Sequence, residues 1–92
     1  MGSVSAAMQA KLSAAFNPVR LEISDDSSHH KGHSGARHGG ESHFTVTIVS
    51  NSFAGLGRVE RQRRINKALA EELNGPVHAL SIRALAPGEV GA

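Results

Sequence analysis

Three observations predict an α+β fold, a three-stranded sheet with helices on one of its faces. Apolar and polar residues alternate in three separate stretches, 20–24, 42–50 and 77–85, as they do in half-buried strands. Two longer stretches, 3–16 and 58–75, repeat apolar residues at helical spacing instead. Their order along the chain is α-β-β-α-β, and 92 residues suffice for one domain, 1–92, with a single modest core.

The first helix is "SVSAAMQAKLSAAF". Ser3 or Ser5 can cap its start, and Met8, Leu12, Ala15 and Phe16 recur on one face. Asn17-Pro18 ends it, because the residue before a proline is driven out of the helical region. "RLEIS" then alternates, with Leu21 and Ile23 on one side and Arg20, Glu22 and Ser24 on the other. "SHFTVTIVS" resumes the alternation with Phe44, Val46 and Ile48 inward, so two strands flanking one loop predict an antiparallel pair.

"NSFAGLG" reads as a turn. "RVERQRRINKALAEELNG" is the strongest helical stretch, with Val59, Ile65, Leu69, Leu73 and Ala68 as its apolar stripe. Asn74-Gly75 is a good stop, and Pro76 forbids continuation. "VHALSIRAL" is the third strand, with Leu80 and Ile82 on one face. A crossover through the long helix makes the second and third strands parallel if they are neighbours. "APGEVGA" reads as a frayed tail or one short turn.

Between the first two strands, residues 25–41 are nearly free of apolar side chains and rich in Gly, Ser and His. A loop of about seventeen residues is long for a compact domain, and such loops are usually functional or disordered. The surrounding string "SSHHKGHSGARHGGESHF" holds His29, His30, His33, His38 and His43. An affinity tag would be an unbroken terminal run. This stretch is internal and interrupted by glycines, which marks it as native.

Composition narrows the function. There is no cysteine, hence no disulfide, no thiolate nucleophile and no iron–sulfur site held by the chain's own cysteines. That fits an intracellular protein. The formal charge of +2 is too small to argue for nucleic acid by itself. No stretch approaches the ~20 apolar residues that span a bilayer, and none resembles a secretory signal. The opening Met1-Gly2-Ser3 is also compatible with a trimmed start, which leaves room for a removed targeting peptide. The acidic pairs Asp25-Asp26 and Glu71-Glu72 show no sign of convergence, and nothing orients the loop imidazoles for acid–base work. The sequence reads as a non-enzyme.

The element order and five local strings resemble the BolA family over nearly the whole chain, from about Met8 to Pro87. The strings are "ESHF" at 41–44, "IVSNSFAGL" at 48–56, "RVERQRR" at 58–64, "ALAEEL" at 68–73 and "VHALSIRA" at 77–84. The resemblance implies a fold related to the type II KH domain. Two positions depart from the family pattern: Gln62 stands where a histidine is common between two arginines, and Asn66 where a tyrosine is common. Any role of that histidine does not transfer to this chain.

The resemblance further implies a partner and a cofactor. BolA-like proteins pair with monothiol glutaredoxins and together hold a two-iron, two-sulfur cluster. The glutaredoxin cysteine and glutathione bind one side, and the BolA-like chain supplies a C-terminal histidine and a loop ligand to the other. In one subgroup the loop ligand is cysteine and in another histidine. A chain without cysteine is similar to the histidine subgroup. Carried over by position, "VHAL" makes His78 the fixed ligand. The loop ligand is His30, four residues after Asp26, with His33 the runner-up and His29 and His38 behind them. His43 matches a family position but, inside a strand, is expected to brace the sheet.

Imidazole suits iron and binds as a neutral ligand. Replacing thiolates by histidines raises the potential in Rieske centres. Protonation near pH 6.5 favours release in acid, which suits transfer or sensing better than storage. The expected function is therefore iron–sulfur trafficking or iron and redox regulation. The isolated chain is expected to be monomeric and free of cofactor. Its expected compartment is the cytoplasm of a bacterium, or the mitochondrion or plastid of a eukaryote.

Other readings stand beside this one. On composition alone, His78 at a strand start is a structural residue, and the loop is a solvated segment with incidental metal affinity. Arg58, Arg61 and Arg64, at i, i+3 spacing and followed by Lys67, can share one surface that meets phosphates or an acidic partner. DNA-binding regulation through this helix is the alternative function. It ranks second, because "GLGR" at 55–58 departs from the GXXG loop by which KH domains grip nucleic acid. Tyrosine and tryptophan are also absent for base stacking. A third possibility is a glutaredoxin-binding module that never touches the cluster.

Overall fold

A computed structural model describes residues 3–26 and 43–89. Helix α1 spans Ser3–Phe16, strand β1 Arg20–Asp25 and strand β2 His43–Val49; a short 3-10 turn follows at Asn51–Phe53. Helices α2, Arg58–Ala68, and α3, Ala70–Asn74, lead to strand β3, Ala79–Leu85. The sheet order is β1-β2-β3, antiparallel between β1 and β2 and parallel between β2 and β3, as expected for a helical crossover.

Register lines the alternating apolar residues into rows. Ile23, Val46 and Ile82 stand side by side across the sheet, as do Leu21, Ile48 and Ala84. Phe44, Val46 and Ile48 are buried and pack with Met8, Leu12, Phe16, Ile65 and Leu69, so the helices cover this one face. The opposite face carries Arg20, Glu22, Ser24, Ser81 and Arg83, all exposed.

Helix α1 buries Met8, Leu12 and Phe16. Ala15, expected on the same face, is exposed. The buried i, i+4, i+8 row runs obliquely round the helix and leaves Ala15 on its far flank, at the rim of a cleft to α2. Asn17 closes the helix at φ 45°, a left-handed conformation that asparagine tolerates, and its N–H donates to Ser13 O at 3.0 Å.

The long helix differs from expectation in two ways. It is interrupted at Leu69, although i to i−4 bonds cross the join: Leu69 N–H donates to Ile65 O at 3.0 Å and Leu73 N–H to Leu69 O at 2.9 Å. Val59 is not part of the apolar stripe; it is 70% exposed. It precedes Ile65 by six positions, out of step with the three-four rhythm, and its own row is Gln62, Arg63 and Asn66. The expected turn at 51–57 contributes a core residue instead. Phe53 is fully buried and its ring lies 5.0 Å from that of Phe16. Gly55, at φ 80°, then supplies the left-handed step that only glycine takes without strain.

Candidate functional site

Strand polarity decides what meets at each end of the sheet. β1 finishes at Asp25, opposite Phe44, and β2 begins at His43, opposite Ala79. The segment 27–42 is therefore anchored at the same end where β3 begins. With strands spaced about 4.8 Å, its first anchor lies roughly 10 Å from the β3 line, well within reach of a chain that extends by ~3.3 Å per residue.

His78 occupies the position just before β3 at this end, and it is exposed. Val77 beside it is buried, and its N–H donates to Glu72 O at 2.9 Å. The histidine is thus held between an anchored residue and the first ladder residue. No hydrogen bond or ion pair with a described residue engages its imidazole. His43, by contrast, is half-buried in β2 and already engaged. His29, His30, His33 and His38 lie outside the described residues. Among the described residues, no group of three or more His, Cys, Asp or Glu side chains could hold a metal ion. An unengaged, exposed imidazole on a fixed backbone fits one ligand position of a centre completed by other groups.

The basic helix divides in two. Arg61 is drawn inward: Nε donates to Leu56 O at 2.8 Å and Nη1 to Ala84 O at 3.0 Å, and the guanidinium meets Glu89 at 2.6 and 2.8 Å. Glu89 also accepts from Ala86 N–H at 2.8 Å. Gly88, at φ 90°, turns the chain so that this carboxylate points back. The Arg61 guanidinium and the Ala86 N–H hold the Glu89 carboxyl down at about 2, and the carboxylate raises Arg61 in turn. Arg64 lies on the other flank, toward α1, and donates to Glu60 at 3.0 Å. Arg58, Arg61 and Arg64 therefore do not share one surface. Arg58 and Lys67 are exposed and without a carboxylate partner among the described residues.

The acidic pair at 71–72 has a structural use. Lys11 Nζ donates to Glu71 at 2.6 Å and to Glu72 at 2.8 Å, tying α1 to α3. These bonds raise Lys11 and lower Glu71. Asp26 accepts hydrogen bonds from Ser24, at 3.0 Å, and from the hydroxyl of Thr45. Sequence reading missed both Lys11 and Glu89. The string Pro87-Gly88-Glu89 was a signal for the latter, a turn followed by a carboxylate.

The described residues form a small α+β domain with a helix-covered sheet and an exposed histidine at one sheet end. The profile of BolA, the BolA-like protein family, matches residues 12–89, and the chain belongs to that family. It is 47% identical over 88 residues to an uncharacterized protein in the cobS 5' region of a Sinorhizobium species, covering 95% of each chain. It is 45% identical to BolA-like protein 1 of Pongo abelii, covering 99% of this chain and 64% of that protein. Among solved structures, the BolA domain of SufE1 from Arabidopsis thaliana superposes with TM-score 0.84 at 42% identity, covering 98% of this chain and 99% of that one. Relatives include a chloroplastic protein and a chloroplastic/mitochondrial one from Arabidopsis thaliana as well as bacterial proteins. No helix among the described residues is long and apolar enough to cross a membrane.

Proposed function

We propose that this BolA-like protein binds a glutathione-loaded monothiol glutaredoxin and co-ligates a two-iron, two-sulfur cluster. His78 and one loop histidine, His30 or His33, are the ligands from this chain. The observation that carries the reading is the placement of His78: exposed, without a bond to a described residue, and at the sheet end where both anchors of the histidine-rich segment stand. The cluster supplies electron transfer or transferable iron and sulfide. This chain's part is to present neutral imidazole donors and to fix one of them on a strand.

The deciding experiment titrates the protein into cluster-loaded glutaredoxin and follows visible circular dichroism. Wild type is expected to give a new spectrum, lost with His78→Ala and with either His30→Ala or His33→Ala. An unchanged spectrum with wild type overturns co-ligation; complex formation by a separate method would then leave docking without ligation.

A second reading is carried by a relative named as the DNA-binding transcriptional regulator BolA of Vibrio cholerae, 44% identical over 75 residues and covering 82% of this chain and 67% of that protein. On the basic helix, Arg58 and Lys67 have no carboxylate partner among the described residues, Arg63 and Arg64 meet Glu60, and Arg61 is occupied internally. DNA binding predicts an affinity that falls steeply with salt and is lost with Arg58→Ala and Lys67→Ala but not with His78→Ala.

A further inference from the structure

The far edge of the sheet offers a surface that the cluster reading does not use and that shares only Arg58 with the DNA reading. β3 is an edge strand. Ser50 N–H donates to Leu85 O at 2.9 Å, which turns the backbone polar groups of Leu85 toward β2. By the alternation of a strand, those of Leu80, Ile82 and Ala84 point outward. The Arg61 bond to Ala84 O, at 3.0 Å, confirms that direction and caps the edge there. Leu80 and Ile82 keep their outward N–H and C=O groups open, with no partner among the described residues. Beside them, between β3 and the start of α2, runs a groove of about 860 Å³ with Leu56 and Gln62 on its wall.

Charge selects the occupant. Among the described residues, Arg20, Arg61, Arg63 and Arg64 each have a carboxylate partner. Arg58 and Arg83 have none, and both line this groove. They flank the open edge from opposite sides. Arg83 belongs to the uncovered face of the sheet, while Arg58 stands on the helix-covered side. An added strand sends successive side chains to opposite faces, so two adjacent acidic residues would each meet one arginine.

We propose that the β3 edge receives an extended acidic segment of a partner protein. The segment pairs with the open backbone groups of Leu80 and Ile82 and places neighbouring carboxylates on Arg58 and Arg83. An extended peptide supplies both donors and acceptors to a strand edge, whereas a DNA backbone offers acceptors alone, and the groove has no aromatic ring for stacking. The proposal is independent of cluster ligation, since it uses neither His78 nor the loop.

The test is fluorescence anisotropy with a labelled peptide, Thr-Val-Asp-Glu-Val-Thr, alongside its Asn-Gln counterpart, a version N-methylated at alternate amides, and oligothymidine. The acidic peptide is expected to saturate and to shift the amide resonances of Leu80 and Ile82. The double change Arg58→Gln with Arg83→Gln is expected to weaken it about tenfold with an unaltered far-ultraviolet spectrum. Three outcomes overturn the proposal: no saturable binding, equal binding of the neutral or N-methylated peptide, or shifts of those amides by oligothymidine alone. His78→Ala is expected to leave peptide affinity unchanged, so failure here and failure of co-ligation are read separately.

Discussion

Where β2 and β3 finish, the chain is knotted together by polar bonds. Ser50, 1% exposed, donates from its hydroxyl to Phe16 O at 2.6 Å and accepts there from Ser52 N–H at 3.0 Å. Val19 N–H reaches Val49 O at 2.8 Å, and Arg61 joins Leu56, Ala84 and Glu89. Where the same strands begin, His78 stands exposed, without a bond to a described residue, beside the anchors of the histidine-rich segment. A small domain has few kcal/mol to spare. The backbone beside His78 is held as well, by Val77 N–H to Glu72 O, so the exposed imidazole is available to a ligand without the fold depending on it.

Breaking the knotted end should cost most at its apolar pivot. Phe53→Ala removes a fully buried ring from the contact with Phe16 and is expected to destabilise by about 3–5 kcal/mol, measured by urea unfolding. Ser50→Ala comes next, at about 1–3 kcal/mol, because it leaves the Phe16 carbonyl and the Ser52 N–H without their buried partner. Loss of stability well below 1 kcal/mol in either variant would show that this end is not the anchor.

How much of this contrast was legible in the sequence depends on the range of the interaction. Alternation placed Leu21, Ile23, Phe44, Val46 and Ile48 correctly because a strand's two faces are set by neighbours two residues apart. The parallel β2–β3 pair followed from the helical crossover. Phe53 was hidden in a string that reads as a turn and Ser50 at the end of one that reads as a strand, and their roles come from contacts with Phe16, far away in sequence. Arg61 shows the same limit. Its charge pattern matches that of its neighbours, and only the return of Gly88-Glu89 to the end of β3 separates it from Arg58. At the open end, "VHAL" located His78, but its exposure needed the fold, and the loop ligand rests on family resemblance.

The Arg61–Glu89 pair gives the knotted end its acid sensitivity. Glu89 is held at about 2 in the folded chain against an ordinary 4.5. A depressed carboxylate binds fewer protons folded than unfolded, so its stabilisation is complete above about 4.5 and is lost as pH falls toward 2. Glu89→Gln is therefore expected to lower Tm by a few degrees at neutral pH. The wild-type and variant Tm values should then converge below pH 4.5. A gap that stays constant down to pH 2 would assign the effect to the amide's packing and not to the ion pair.

The smallest effect on stability belongs to the open end, and its smallness is the point. His78 is exposed and makes no bond with a described residue, while Val77 and the β3 ladder hold the backbone on either side. His78→Ala is expected to change unfolding free energy by no more than about 0.5 kcal/mol. Glutaredoxin-dependent spectra should nevertheless respond to it fully. A loss of 2 kcal/mol or more would reveal a structural histidine bonded within the chain, and the division between the two ends would fail. A silent stability change with a lost spectrum separates holding the fold from holding the ligand, residue by residue, across the length of one small sheet.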